Sequence, residues 1–252
     1  VTNTRIHANI AVGGGGGVYG ACCTDCVISN NGVIANSSNN SYGGGCYSGR
    51  LIDCDVCFNY LSERNGTGGN AYGGAAYISS LTDCRINGNA IFSGGQNRQG
   101  AGLYSCGVTN SFIYENFIDA TGQGAAMNGG SAYGCVFSNN QTRASNRDSP
   151  HVRQPAGPVV NCAFYGQTIA CSTKIVVENC RFTGCRDGWT IPAGHNVASM
   201  SEDLSSDIPG SDYLASSYIH MRNCLIAGNQ IKYISKANST DLTKIENCTV
   251  AD

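Results

Sequence analysis

Charged side chains are scarce in this 252-residue sequence, at 13%, and their net charge is −2. Such a chain has no basic field to attract nucleic acid or an anionic membrane, so neither is expected as a partner. No apolar run approaches the roughly 20 residues that a bilayer-spanning helix needs. The N-terminus lacks the basic segment and apolar stretch of a secretory leader. Sustained 3.6-residue periodicity with caps is also missing, so helix is not expected. The glycine run Gly13–Gly17 leads into a strand pattern without a Lys-Ser/Thr ending, which excludes a phosphate-binding loop.

What the sequence does have is 34 Gly, 15 Cys and 41% hydrophobic residues. A nine-residue unit recurs: apolar, any, Asn/Asp, Cys, any, Ile/Val/Phe, any, any, Asn. It reads VTNTRIHAN from Val1, CTDCVISNN from Cys23, LIDCDVCFN from Leu51, LTDCRINGN from Leu81 and VTNSFIYEN from Val108. AYGCVFSNN from Ala132, VVNCAFYGQ from Val159, VENCRFTGC from Val177, MRNCLIAGN from Met221 and a truncated IENCTVAD from Ile245 complete the series. The units start 18 to 30 residues apart, with a single gap of 44 between Val177 and Met221. A constant unit at variable spacing predicts fixed strands joined by loops of different length. Both ends of the sequence fall inside a unit, which leads us to expect a piece of a longer chain, because a solenoid needs caps.

The columns have physical meanings. The fourth holds Cys26, Cys54, Cys84, Cys135, Cys162, Cys180, Cys224 and Cys248, with Thr4 and Ser111 as small substitutes. The sixth is Ile, Val or Phe throughout. Alternation along a strand sends columns four and six to one face. That face is predicted to be interior, because column five carries Arg5, Asp55, Arg85 and Arg181. Column one is also apolar but lies three residues before column four, so the chain must bend between them. The Asn/Asp of column three tolerates a left-handed backbone and supplies that corner. Column nine adds Asn9, Asn31, Asn59, Asn89, Asn116, Asn140 and Asn229, which are expected to hydrogen-bond coil to coil.

Gly-rich stretches ending in tyrosine precede several units, at Tyr19, Tyr47, Tyr77 and Tyr104. Small residues there allow sharp turns or close approach of the walls. These features predict a single all-β domain over 1–252. It is a single-stranded right-handed parallel β-helix of about ten coils, with an internal Cys ladder and Asn ladders. Three strands per coil at a rise of about 4.8 Å would give a rod about 48 Å long.

The ladder cysteines are expected to be buried free thiols acting as small hydrophobes, since in-register side chains do not readily reach disulfide torsions. A linear ladder does not supply tetrahedral zinc geometry. Off the ladder, Cys22, Cys46, Cys57, Cys106, Cys171 and Cys185 are the better disulfide candidates, with no pairing implied. A hydrolase needs paired carboxylates, and a lyase a basic residue beside a cation site. Outward acids are sparse: Asp55, Glu115, Glu178 and Glu246 are read as lying in different columns of distant coils. Asp25, Asp53 and Asp83 align in consecutive coils, but they share the corner column with Asn and are read as backbone-shaping. Thr2, Thr24, Thr82 and Thr109 share an outward column too interrupted for ice binding.

Gly73-Gly74-Ala75 and Phe137-Ser138-Asn139-Asn140 resemble the GGA and F-x-x-N motifs of the polymorphic outer membrane proteins, whose β-helical passengers are adhesins. Ile replaces Phe in most other coils. Nearly the whole sequence, apart from about 186–216, is similar to bacterial surface proteins with GGGxY…NCxIxxN repeats. The resemblance implies a secreted or surface-displayed bacterial protein, an adhesin or polysaccharide-handling module. It speaks for fold far more than for activity.

Two departures from the repeat are the expected binding loops. Residues 141–158 are basic, with Arg143, Arg147, His151 and Arg153. Residues 186–216 hold Arg186, Asp187, the lone Trp189, His195 and Tyr213, a set able to form a sugar platform. Glu202, Asp203, Asp207 and Asp212 in that stretch could ligate Ca²⁺; no other cofactor is expected. The alternatives are a solvated excursion, or a degenerate eleventh coil. The leading expectation is a monomeric, non-catalytic surface module presenting these loops to glycan or protein. The competing one is a carbohydrate-active enzyme of the pectin-lyase-like type, which a solvent-facing cluster of carboxylates with Arg or Lys would favour.

Overall fold

The computed structural model describes residues 1–35, 39–63, 69–92, 97–119, 122–142, 152–153, 155–167, 169–170, 175–183, 219–227 and 244–251. Among them there is no helix. Short strands stack in parallel register into a β-solenoid with five sheets, of ten, nine, seven, six and three strands. One circuit shows the order: Val27–Ser29 in the ten-stranded sheet, Gly32–Ala35 in the six-stranded and Ser41–Tyr42 in the three-stranded. Cys46–Tyr47 in the seven-stranded sheet and Arg50–Ile52 in the nine-stranded follow, before Asp55–Cys57 rejoins the first. Five walls thus replace the three strands per coil expected from sequence. Several walls are only two residues long, too short for an alternation to register in a sequence.

The repeat maps onto this architecture column by column. Column six is the centre of the ten-stranded sheet, each residue opposite its counterpart from Ile6 through Ile28, Val56, Ile86 and Ile113 to Phe137, Phe164, Phe182, Ile226 and Val250. Phe137, Phe164 and Phe182 stack with centroids 4.9 and 4.5 Å apart. Arg181–Thr183 pairs directly with Leu225–Ala227, and Ile175–Glu178 with Ile219–Arg222. No eleventh coil therefore enters between these rungs in either sheet.

Column three is the corner. Asn3, Asp25, Asp53, Asp83, Asn110, Asn161, Asn179, Asn223 and Asn247 all have φ between 47° and 56°, and Gly134 takes the same turn. Two further left-handed corners were not legible. One falls in column eight, at Ala8, Asn30, Phe58, Gly88, Glu115, Asn139 and Gly166; the other follows the tyrosines, at Gly20, Ser48, Ile78 and Ser105. The Gly stretches play both roles expected of small residues. Gly43, Gly73 and Gly100 turn with φ of 55°, 71° and 65°. A methyl on Gly16, Gly44 or Gly74 would run into the carbonyl of the next coil.

Inside, the asparagine ladder is continuous from Asn9 through Asn31, Asn59, Asn89, Asn116 and Asn140 to Gln167. Asn59 is typical. Its Nδ2 donates to Ile28 O at 2.8 Å and to Asn89 Oδ1 at 3.0 Å. Its Oδ1 accepts from the N–H and Nδ2 of Asn31, both at 3.0 Å. Every polar capacity of this fully buried amide is used, which is the condition for burying it without penalty. Asn229 lies outside the described residues.

Candidate functional site

The loop residues singled out from sequence, Arg186, Asp187, Trp189, His195 and Tyr213, lie outside the described residues, as do Arg143, Arg147, His151 and the acids from Glu202 to Asp212. Among the described residues, no group of three or more His, Cys, Asp or Glu side chains is arranged to hold a metal ion.

The cysteine ladder is interior: Cys26, Cys54, Cys84, Cys135, Cys162, Cys180 and Cys224 are all buried, and Cys248 is half-buried. Its thiols do more than fill space. Each donates to the carbonyl two residues back, beside the left-handed corner; Cys54 to Ile52 O is 3.1 Å and Cys84 to Thr82 O is 3.2 Å. Several sulfurs also accept the N–H of the preceding coil, as Cys162 does from Cys135 and Cys180 from Cys162, both at 3.4 Å. Ser111 reproduces both bonds, to Thr109 O at 2.7 Å and from Cys84 N at 3.0 Å. Thr4 bonds Thr2 O in the same way. The hydroxyl substitutes in the sequence were the available signal of a hydrogen-bonding column.

Cys22, Cys46, Cys57 and Cys106, expected as disulfide candidates, are free thiols; Cys171 and Cys185 lie outside the described residues. Cys46 and Cys106 flank Ser79 and bond with it, closing the tyrosine-side corner as the main ladder closes its own. Burial raises the Cys46 thiol to about 11 and the Cys106 thiol to about 12, which keeps both unreactive.

Two outward features have the character of sites. The first is an open groove of about 430 Å³ lined by Asp53, Cys54, Asp55, Asp83, Cys84, Arg85, Asn110 and Phe112. Columns three and five form its sides, with the thiols of column four between. Arg85 donates two hydrogen bonds to Asp55, at 2.6 and 3.1 Å, and Phe112 is 53% exposed beside it. Register places Asp25, Asp53 and Asp83 on successive rungs, and their φ of 50–55° bears out the backbone-shaping reading. The groove is nonetheless a solvent-facing cluster of carboxylates with arginine, the feature that favours the carbohydrate-active alternative.

Glu178 and Glu246 correct the sequence reading. They share column two, with Arg222 between them in register. Arg222 donates to Glu178 at 2.8 Å, and His220 contacts Glu246 at 2.9 Å. Cross-strand charge pairing accounts for these acids.

The second feature is a double row of tyrosines on the three- and seven-stranded sheets. Tyr19, Tyr47, Tyr77 and Tyr104 stack along the rod with centroids 4.8, 5.1 and 5.4 Å apart. Tyr42 and Tyr72 form a second row, and tilted pairs join the two: Tyr42 with Tyr77 and Tyr72 with Tyr104, each at 4.7 Å. The sequence carries this as Y-G-G-x-x-Y, at Tyr42–Tyr47 and Tyr72–Tyr77, but reading its glycines as turns left the tyrosines unassigned. Burial first, then neighbouring phenols, raise the pKa of Tyr72 and Tyr77 above that of a free tyrosine. Because ring faces are spent on one another, edges and hydroxyls are what the array offers outward, except at Tyr19, which is 70% exposed. A scan against protein-family models, a search of curated proteins and a search of solved structures each return no match for this chain.

Proposed function

We propose that this chain is a right-handed β-helix of ten coils serving as a non-catalytic secreted or cell-surface module, a stiff monomeric rod that presents loops to a glycan or a partner protein. The observation that carries the reading is the unbroken asparagine ladder, which ties coil to coil through fully satisfied buried amides. Such continuity makes a rigid scaffold on which the segment near 186–216 can vary freely. The 141–158 stretch, expected to be a loop, instead contributes the paired strands Gln141–Thr142 and Val152–Arg153 to the walls, with Arg153 buried. The ten in-register strands of one sheet support the coil number, and the strong preference for right-handed parallel crossovers supports the hand. The resemblance to bacterial adhesin passengers points the same way. A glycan array and a lyase and hydrolase screen on the full-length protein test it. Binding without turnover, lost when 186–216 is deleted, is expected; turnover that needs that segment would overturn it.

A second reading, a carbohydrate-active enzyme, is favoured by the Asp53–Asp83–Arg85 groove. There the exposed Phe112 face could hold a sugar ring beside carboxylates. Arg85 is committed to Asp55 as a bidentate ion pair, so it is not a free base, and any acid–base work would fall to Asp53 and Asp83. Loss of turnover in D53N and D83N with an unchanged unfolding midpoint would establish this alternative.

A further inference from the structure

We propose that the double tyrosine row is an oxidative cross-linking site, at which Tyr42 couples to Tyr77 and Tyr72 to Tyr104. Both pairs have centroids only 4.7 Å apart and planes inclined at 56° and 52°. That separation and twist approach those of two rings joined by a single carbon–carbon bond. The stacked pairs, such as Tyr19–Tyr47 and Tyr77–Tyr104 with planes 6° apart, present faces instead of the ortho carbons that must meet. Each coupled pair belongs to adjacent rungs, because Tyr72 lies opposite Tyr42 and Tyr104 opposite Tyr77. The bond would therefore staple one coil to the next.

The co-reactant is hydrogen peroxide acting through a peroxidase. Two phenols each lose one electron and one proton, giving two phenoxyl radicals. Their ortho carbons join, and the two ring hydrogens displaced from those carbons return to the phenolic oxygens on rearomatisation. One peroxide takes up the two electrons and two protons and leaves as two waters. Tyr19, 70% exposed at one end of the stacked row, is the natural point of oxidation, and rings about 5 Å apart let the radical pass inward. The proposal is independent of whether the rod binds glycan or acts on it.

The test treats the full-length protein, with Cys22→Ser, Cys57→Ser and Cys248→Ser to remove the thiols that are exposed or half-buried among the described residues, with a peroxidase and limiting hydrogen peroxide. Free tyrosine in a parallel reaction verifies the oxidant. Expected are dityrosine fluorescence, loss of two hydrogens per link by mass, a monomeric elution volume, and peptide maps joining Tyr42 to Tyr77 and Tyr72 to Tyr104. Tyr104→Phe, which keeps the ring and removes the phenol, should abolish the Tyr72–Tyr104 linkage and leave Tyr42–Tyr77. Tyr77→Phe should abolish Tyr42–Tyr77 and, by interrupting the row, lower the yield of Tyr72–Tyr104. No linkage while free tyrosine couples would overturn the proposal. So would linkage only between chains, or only through Tyr19, Tyr133 or Tyr165.

Discussion

Each cysteine of the column-four ladder sits one residue after a left-handed corner, and the carbonyl before that corner has the thiol as a second partner beside a backbone N–H of the neighbouring coil. This explains a column that admits Cys, Ser and Thr. In the hydrophobic reading, Val should serve at Cys84 as well as Ser does. In the hydrogen-bonding reading, Cys84→Ser should stay closer to wild type than Cys84→Val. The valine removes one of the two donors to Thr82 O, leaves the Asp53 N–H in place, and should cost about 0.5–1.5 kcal/mol. Urea unfolding midpoints separate the two. A different strain is held at Ile78, a β-branched residue at φ 45° and 49% exposed. Left-handed backbone costs such a residue about 1–2 kcal/mol, so Ile78→Asn should stabilise the protein by about 1 kcal/mol in the same assay. The column-three corner was legible because Asn and Asp advertise it. The corners at Phe58, Ile78 and Glu115 were not, because their side chains disfavour the conformation the stacked neighbours impose.

Ladders are the structural unit one level up. Replacing Asn59 with Leu removes the acceptor for Asn31 N–H and Nδ2 and the donors to Asn89 Oδ1 and Ile28 O, all buried. Asn89 Oδ1 keeps the backbone N–H of position 59 and Asn31 Nδ2 keeps Ile6 O, so the main penalty is the Asn31 N–H left without its acceptor and Ile28 O without its amide donor. At about 1–3 kcal/mol each, a loss of about 2–6 kcal/mol is expected by denaturant titration. The tyrosine rows make a pH prediction. Tyr72, Tyr77 and Tyr104 hold their protons more tightly folded than unfolded, because of burial and then neighbouring phenols. Their contribution is present in full below the unfolded value near 10 and lost as pH climbs through the higher folded values. A thermal midpoint that falls from pH 10 upward, and falls less in Tyr72→Phe, is the expected outcome. The asparagine ladder was readable from the sequence, since a polar residue at one repeat position has few uses other than stacking. The tyrosine site was visible letter by letter but not as a site. Its two rows meet only because a two-residue wall folds back against its neighbour.

At the scale of the molecule, each coil bonds only to the ones beside it, so stability is a chain of nearest-neighbour terms. In Asn89→Leu, hydrogen exchange should speed at the neighbouring Asn59 and Asn116 amides and stay unchanged at Asn9, several rungs away. A uniform change along the rod would contradict this local coupling. The groove at Asp53, Asp83 and Arg85 belongs to this scale too. The backbone role read from sequence for Asp53 and Asp83 holds, with φ of 50° and 55°, whereas the Asp55–Arg85 ion pair was not legible there. Their convergence into one opening required knowing which corner faces which column.

The direct pairing of Arg181–Thr183 with Leu225–Ala227 has a practical consequence. Between Thr183 and Ile219 lie 35 residues, yet the strands on either side of them pair rung to rung in two sheets, so the register of those sheets is set without them. Foreign peptides spliced between Thr183 and Ile219 would inherit two fixed attachment points without any need to redesign the rungs on either side.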